Sequence, residues 1–190
     1  MLNKKNLGKI KKELHSYHKV RMEVIAKANE ALHQAKRVIF ALHRDNTKEA
    51  KQKLAIVERI LKELNKKYSK ESQMQAEGAY KASLEEYVEA KLLYSFLTTG
   101  KIGEIKELDI PGEIYLAGLC DVPGELLRYG VKAATNKDVK TTKKCAQMAQ
   151  SIIGELIEFN LTSYLRTKFD QAKQAVWKLE QVIYELSLRA

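Results

Sequence analysis

Two closely spaced glutamates in the middle of the chain have the types and spacing to act together. Glu86 and Glu89 lie at positions i and i+3 of a segment with helical periodicity, so both side chains can reach a common point. Glu86 interrupts a stripe of small and apolar residues along one helix face, where a carboxylate is costly unless it is paired, hydrogen-bonded or bound to a metal. The stripe consists of Ala79, Ala82, Ala90, Leu93 and Leu97.

A second acidic pair lies in the next long helical segment. Asp121 and Glu125, at i and i+4, share a face with Arg128 and Lys132. Pro123 lies between the two acids and removes a backbone donor, which predicts a kink or a weakened turn at this point.

Four carboxylates from two helices suit a hard divalent cation such as Mg²⁺ or Mn²⁺, which prefers oxygen ligands. Such an ion can activate a water molecule and stabilise an in-line displacement at phosphorus. The spacing leaves a second interpretation open, in which Asp121 and Glu125 lie on an ordinary solvated face and pair with Arg128 and Lys132.

Histidines offer no comparable site. The only Glu-x-x-His pair is Glu30 with His33, whereas a di-iron carboxylate bundle needs two such pairs and two further glutamates. All four histidines, including His15, His18 and His43, fall in the first helical segment. The pattern argues against a di-iron centre.

Helical periodicity extends along the whole chain, and no segment has the alternation of a strand. We therefore predict an all-α antiparallel bundle of about six to seven helices, forming a single domain over residues 1–190. Residues 101–109 could hold an additional short helix. The predicted long helices are marked by apolar spacing over about 7–42, 54–64, 72–98, 113–134, 138–159 and 164–188.

Charge is distributed unevenly along the 190 residues, although the net charge is +10. Residues 1–70 contain 19 Lys+Arg and 7 Asp+Glu, which gives +12, and residues 71–190 contain 15 and 17, which gives −2. The basic half makes a polyanionic partner plausible.

Two cysteines are too few for a disulfide framework or a four-cysteine zinc site. No apolar run reaches the roughly 18 residues of a membrane span, so we expect a cytoplasmic protein that does not enter a membrane.

Several segments, taken in order, resemble the translin family, and within it the branch of translin-associated factor X (Trax). The segment at 36–44 ends in Leu-His-Arg, and the segment at 86–90 reads Glu-Tyr-Val-Glu-Ala. Residues 115–128 resemble the family pattern Tyr-Leu-x-Gly-x-x-Asp-x-x-Gly-Glu-Leu-x-Arg, and the last helix carries Leu-Arg-Thr-Lys-Phe-Asp at 165–170.

This resemblance implies an all-α bundle of about seven helices whose copies assemble into an octameric shell. It also implies binding of single-stranded RNA, with single-stranded DNA possible, and a metal-dependent endoribonuclease activity. Carried over residue by residue, the catalytic and metal-binding residues are Glu86, Glu89, Asp121 and Glu125, with Mg²⁺ or Mn²⁺ as the ion.

Basic side chains are the candidates for contacts to nucleic acid. We expect Arg128, with Lys132 one turn on, to contact a phosphate, and the basic half to bind the backbone, so that base specificity is low. The candidates in the basic half are Arg21, Lys36, Arg37 and Arg44. Two alternatives stay open: a non-catalytic single-strand-binding oligomer and a structural oligomer without a specific ligand.

Overall fold

Six α-helices make up the computed structural model, which describes residues 2–68 and 76–188. No strand occurs among these residues, and the predicted all-α fold is confirmed. None of the six helices is long and apolar enough to cross a membrane. Their bounds are α1 Lys4–His43, α2 Thr47–Tyr68, α3 Gly78–Thr99, α4 Gly112–Thr135, α5 Val139–Leu156 and α6 Ser163–Ser187.

The helix ends follow the capping chemistry of the sequence. Asn3 caps α1 by accepting a hydrogen bond from the amide of Asn6 at 3.1 Å. Gly100 ends α3 in the left-handed region at φ 75°. The predicted start of this helix at Ser72 lies outside the described residues, and within them α3 begins at Gly78. Helix α4 continues through Pro123 without interruption.

The short helix considered for residues 101–109 does not form. This segment is irregular, with the side chains of Ile105 and Leu108 buried at 9% and 8% exposure. A segment of this length gains little from helix formation alone. Burial of these two side chains, rather than helix formation, therefore determines the backbone path of the segment between α3 and α4.

Helices α3 and α4 occupy the middle of the bundle. Helix α3 packs against α1 and α4, and α4 also packs against α5 and α6. The α3–α4 contact is very close at Gly118. A Cβ atom at that position would lie 2.7 Å from both the carbonyl oxygen of Glu85 and the Cβ atom of Val88. The absence of a side chain at Gly118 thus lets the two acid-bearing helices approach.

The first half of α1 lies outside this packing. Residues 2–19 are all exposed, and the first buried residue of α1 is Val24. The exposed stretch nevertheless keeps an apolar stripe at helical spacing. Its members and their exposed fractions are Leu7 47%, Ile10 41%, Leu14 61% and Tyr17 37%.

Candidate active site

The four predicted acids form one electrostatically coupled group, which we call the carboxylate cluster (Glu86, Glu89, Asp121 and Glu125). Helix α3 supplies the two glutamates at i and i+3, and α4 supplies Asp121 and Glu125 one turn apart. The charges of both α4 acids raise the pKa of both α3 acids. The close approach at Gly118 explains how two helices bring these charges together.

Glu89, rather than Glu86, is the most deeply buried acid of the cluster. Glu89 is 9% exposed, while the side chain of Glu86 is 18% exposed. The sequence pattern placed Glu86, rather than Glu89, within the apolar stripe and so suggested that Glu86 is the more buried of the two, which is wrong. Helix α3 packs against α1 on one face and α4 on another, so more than one stripe of α3 is covered.

Burial raises the pKa values of three of the four acids. Burial, followed by the charges of Asp121, Glu86 and Glu125, raises the pKa of Glu89 from 4.5 to about 9. Burial also raises the pKa of Glu86, and Lys36 offsets only part of that rise. The pKa of Asp121 is raised because burial outweighs its hydrogen bond from Lys168. A bound cation would lower all three values.

Cationic side chains from three helices face the cluster. Lys36 of α1 lies 3.4 Å from Glu86, and Arg128 of α4 lies 3.9 Å from Glu125. His43, at the end of α1, donates from Nε2 to Glu125. Lys168 of α6 donates to Asp121 and forms an ion pair with Glu85 at 2.6 Å.

The sequence analysis did not predict three of these residues, His43, Lys168 and Glu85, as part of the site. His43 is 8% exposed and Lys168 is 9% exposed, so both are buried against the cluster. Glu85 adds a fifth carboxylate, and the Tyr164 hydroxyl donates to it at 2.9 Å. A signal for His43 and Lys168 was present, because both lie within segments that carry the family resemblance.

The predicted nucleic-acid-binding residues separate into two groups. Lys36 and Arg128 are largely exposed, at 58% and 56%, and lie beside the cluster. Arg37 is also exposed on α1. The other three are engaged away from the cluster: Arg21 with Glu77, Arg44 with Glu49, and Lys132 with Asp45.

Lys132 has a further structural role at the corner between α1 and α2. Its ammonium donates to the carbonyl oxygen of His43 at 2.7 Å and to the side chain of Asp45. Asp45 has a positive φ of 59°, and Tyr129 donates to its carboxylate at 2.7 Å. These contacts tie the end of α1, which carries His43, to helix α4.

The donor set fits a hard cation by its chemistry: all four side chains offer carboxylate oxygens, and burial raises the pKa values of three of them. In the described part of the chain, however, no three acidic, histidine or cysteine side chains converge closely enough to hold an ion as they stand. Lys36, His43 and Lys168 contact cluster oxygens instead. Ion binding therefore requires some of these oxygens to exchange partners.

The raised pKa of Glu89 predicts a pH-dependent stability. Because the folded pKa exceeds the unfolded one, the stability tied to protonation is complete below about pH 4.5 and is lost as the pH rises toward 9. Glu89→Gln removes this titration. We expect the melting temperature of the variant, relative to the wild type, to increase over that range, by about 2–4 °C per kcal/mol.

Thermal melts at several pH values, without divalent ions, measure this effect. Glu63→Gln is the matched control, because the Glu63 side chain is 61% exposed on α2. A melting-temperature difference between Glu89→Gln and the wild type that does not change with pH would contradict the assignment of Glu89 as buried and protonated at neutral pH.

Comparison with known proteins agrees with the segments noted in the sequence. A model of the translin family matches residues 6–190. The uncharacterized protein MJ0175 of Methanocaldococcus jannaschii is 30% identical over 156 residues, covering 80% of this chain and 69% of that protein. The translin-associated protein X homolog of Schizosaccharomyces pombe is 26% identical over 191 residues, covering 89% and 81%. Translin-associated protein X of Rattus norvegicus is 23% identical over 223 residues, covering 93% and 76%.

Solved structures share the fold. A crystal structure of AfC3PO superposes with a TM-score of 0.89 at 23% identity, covering 97% of this chain and 98% of that one. Apo-NeC3PO gives 0.87 at 24% identity, covering 98% of both chains. A complex of AfC3PO with duplex RNA gives 0.86 at 20% identity, covering 97% of both chains. The family match over nearly the whole length leads to one conclusion: this chain belongs to the translin family.

Proposed function

We propose that this protein binds RNA and cleaves single-stranded RNA as a metal-dependent endoribonuclease, with the carboxylate cluster as its active site. The observation that carries the proposal is the cluster itself. Burial, together with the charges of Asp121 and Glu125 on α4, raises the pKa values of Glu86 and Glu89 on α3, and the exposed cations Lys36 and Arg128 border the cluster. Acids that need a cation, next to side chains that can bind phosphate, suit phosphodiester hydrolysis.

The metal would be Mg²⁺ or Mn²⁺, held by Glu86, Glu89, Asp121 and Glu125. When bound, it supplies an activated water and neutralises charge that develops on the phosphate. The remaining steps belong to the chain. Lys36 and Arg128 bind the phosphate backbone, and neither contact reads a base, so cleavage has little sequence specificity.

Two protein groups hold the α4 acids in place. His43 donates to Glu125, and its own position is fixed because Lys132 binds its carbonyl oxygen at 2.7 Å. Lys168 of α6 donates to Asp121. Both acids are therefore oriented before substrate arrives, which limits the reorganisation needed during the reaction.

The relatives support RNA as the substrate class. A structure of AfC3PO holds duplex RNA, and its fold matches this chain at a TM-score of 0.86. The curated relatives include translin-associated protein X from Schizosaccharomyces pombe and Rattus norvegicus. RNA is the preferred partner on this ground, and single-stranded DNA, whose backbone has the same charge, is a second possible ligand.

The test is the release of fragments from a labelled single-stranded RNA in Mg²⁺ or Mn²⁺, with EDTA as the metal-free arm.

One observation favours a non-catalytic RNA-binding protein instead: Lys36, His43 and Lys168 already contact cluster oxygens. Binding without cleavage in both metals supports that alternative. Cleavage that persists in EDTA excludes the metal-dependent mechanism.

Removing the exposed cations predicts a change in salt dependence. For Lys36→Ala and Arg128→Ala, we expect weaker RNA binding and a slope of log K against log salt that is shallower by about 0.7 for each lost phosphate contact. Titrations of a single-stranded RNA at several salt concentrations measure the slope. Arg59→Ala is the control, because Arg59 is 67% exposed on α2 and lies outside the cluster. Equal slopes for all three variants would remove Lys36 and Arg128 from the binding surface.

Assembly into a homo-oligomer, an octamer by resemblance, is part of this proposal, and the exposed half of α1 is its contact surface. Residues 4–19 combine the stripe of Leu7, Ile10, Leu14 and Tyr17 with six lysines and a single acid. We propose that another copy covers this stripe with the groove between residues 104–110 and helices α4 and α5. That groove, of about 860 Å³, is lined by apolar side chains, by Glu104, Asp109 and Glu155, and by a single cation, Lys106, so its net negative charge complements the lysines.

A charge placed on this stripe should dissociate the assembly. We expect Leu14→Glu to sediment as a smaller species than the wild type at the same concentration, because the stripe can no longer be buried without burying an unpaired carboxylate. Ser16→Glu is the matched control, since Ser16 is exposed on the other side of the same helix. Unchanged sedimentation of Leu14→Glu would place the interface elsewhere, and a wild-type mass of 21.7 kDa would exclude an oligomer.

A further inference from the structure

Lys168 differs from every other cation at the carboxylate cluster. It lies on α6, is 9% exposed, and its ammonium is bound by two carboxylates, Asp121 of α4 and Glu85 of α3. Tyr164, one turn earlier, donates its hydroxyl to Glu85 at 2.9 Å, and its ring centroid lies 5.3 Å from the Lys168 ammonium. Lys168 is thus fixed on three sides by groups from three helices.

The neighbouring cations are held much less firmly. Lys36 and Arg128 are more than half exposed and contact their acids at 3.4 and 3.9 Å, so both side chains can turn toward solvent. His43 contacts a single acid, Glu125, whereas Lys168 is held by two. Burial would lower its pKa, but the hydrogen bonds to Asp121 and Glu85 raise it above the ordinary value, so the ammonium stays charged.

A fixed ammonium next to Asp121 restricts what else can bind there. Nuclease sites with two metal ions place them about 3.5–4 Å apart. Here a second ion close to Asp121 would meet the Lys168 ammonium, which contacts both Asp121 and Glu85. A divalent ion at the same oxygens would be repelled by the ammonium and would compete with it for lone pairs.

We propose that Lys168 is a positioning residue that acts as a built-in cation: it holds Asp121 and Glu85 and takes the place of a second divalent ion. The cluster would then hold a single ion, with Glu86, Glu89, Asp121 and Glu125 as the residues that would bind it. This inference rests on the proposed metal site. It differs from a purely structural salt bridge, because removing the Lys168 charge should create a metal site rather than only weaken the fold.

Counting bound Mn²⁺ tests the proposal. Titrations of the full chain, followed by electron paramagnetic resonance of the free ion and by calorimetry, should give one Mn²⁺ per wild-type chain. Lys168→Met and Lys168→Gln should bind two, and Asp121→Asn added to Lys168→Gln should remove the extra ion. Lys168→Arg, which keeps the charge, should bind one. Lys173→Met on the same helix is the control, since the side chain of Lys173 is 51% exposed and lies away from the cluster.

Each outcome separates this inference from the proposed function. Two ions on the wild type, or one ion on folded Lys168→Met and Lys168→Gln, would overturn the role of Lys168 and leave the metal site standing. No ion on the wild type but one on Lys168→Gln would support Lys168 and overturn the metal site. No ion on any variant would overturn both. If the two variants fold only with Mn²⁺, the rescue supports the proposal, and failure to fold even with Mn²⁺ contradicts it.

Discussion

Glu89→Gln is expected to lose Mg²⁺-dependent cleavage of single-stranded RNA by at least about 100-fold, the upper range for disturbing groups around a metal, because it removes a proposed direct ligand. RNA binding should change little, because the proposed phosphate contacts come from Lys36 and Arg128. Glu89 is the deepest acid of the cluster and feels the charges of the other three acids. Its replacement by a neutral isostere therefore removes affinity for a cation with little disturbance of packing.

Cleavage rates and binding curves on the same labelled RNA measure the two effects separately. Asp121→Asn should behave like Glu89→Gln, and Glu63→Gln should match the wild type. The melting temperature of Glu89→Gln at neutral pH is expected to exceed that of the wild type. Loss of cleavage in this variant would therefore reflect loss of the active site and not unfolding. Wild-type cleavage by Glu89→Gln in Mg²⁺ would remove the carboxylate cluster as the active site.

Gly118→Ala is expected to destabilise the protein by about 1–3 kcal/mol, the usual cost of overpacking a dense core. The added Cβ would lie 2.7 Å from the Glu85 carbonyl oxygen and from Val88 atoms, and neither a backbone oxygen nor a β-branched side chain can easily move aside. Helices α3 and α4 must then separate. Because these helices carry the cluster, metal affinity should fall together with stability.

Gly124→Ala is the matched control in the same helix. A Cβ at Gly124 meets nothing within 4 Å, and alanine is favoured over glycine inside a helix by roughly 0.5–1 kcal/mol. The two substitutions should therefore change the melting temperature in opposite directions. If Gly118→Ala proved as stable as Gly124→Ala, the close α3–α4 contact would not be a constraint in solution.

Sequence reasoning was reliable where the information is local. Apolar spacing located the helices, and the i, i+3 and i, i+4 rules grouped the acids within α3 and within α4. The residue types suggested that the two pairs share one cation, and the family resemblance favoured that interpretation over an ordinary solvated face. Residues 101–109 were ambiguous because the burial of Ile105 and Leu108 is decided by distant helices.

Contacts between distant helices were the part that periodicity could not supply. His43 meets Glu125 across 82 positions, and Lys168 meets Asp121 across 47. In the sequence both residues read as members of helix faces, without a partner. Lys132 is the opposite case. Its charge suggested a contact to phosphate, whereas the structure pairs it with Asp45. Charge alone does not indicate which basic side chains are already engaged.

The exposed first half of α1 also affects how the stability of this protein must be described. In proteins most of the stability of a helix comes from packing its apolar face, and residues 2–19 are all exposed. This stretch can therefore unfold without the six-helix core. At low concentration the calorimetric and van't Hoff enthalpies should disagree. They should converge at higher concentration, because the proposed assembly would cover the stripe. A single free energy of unfolding thus has meaning for this molecule only when the protein concentration is stated with it.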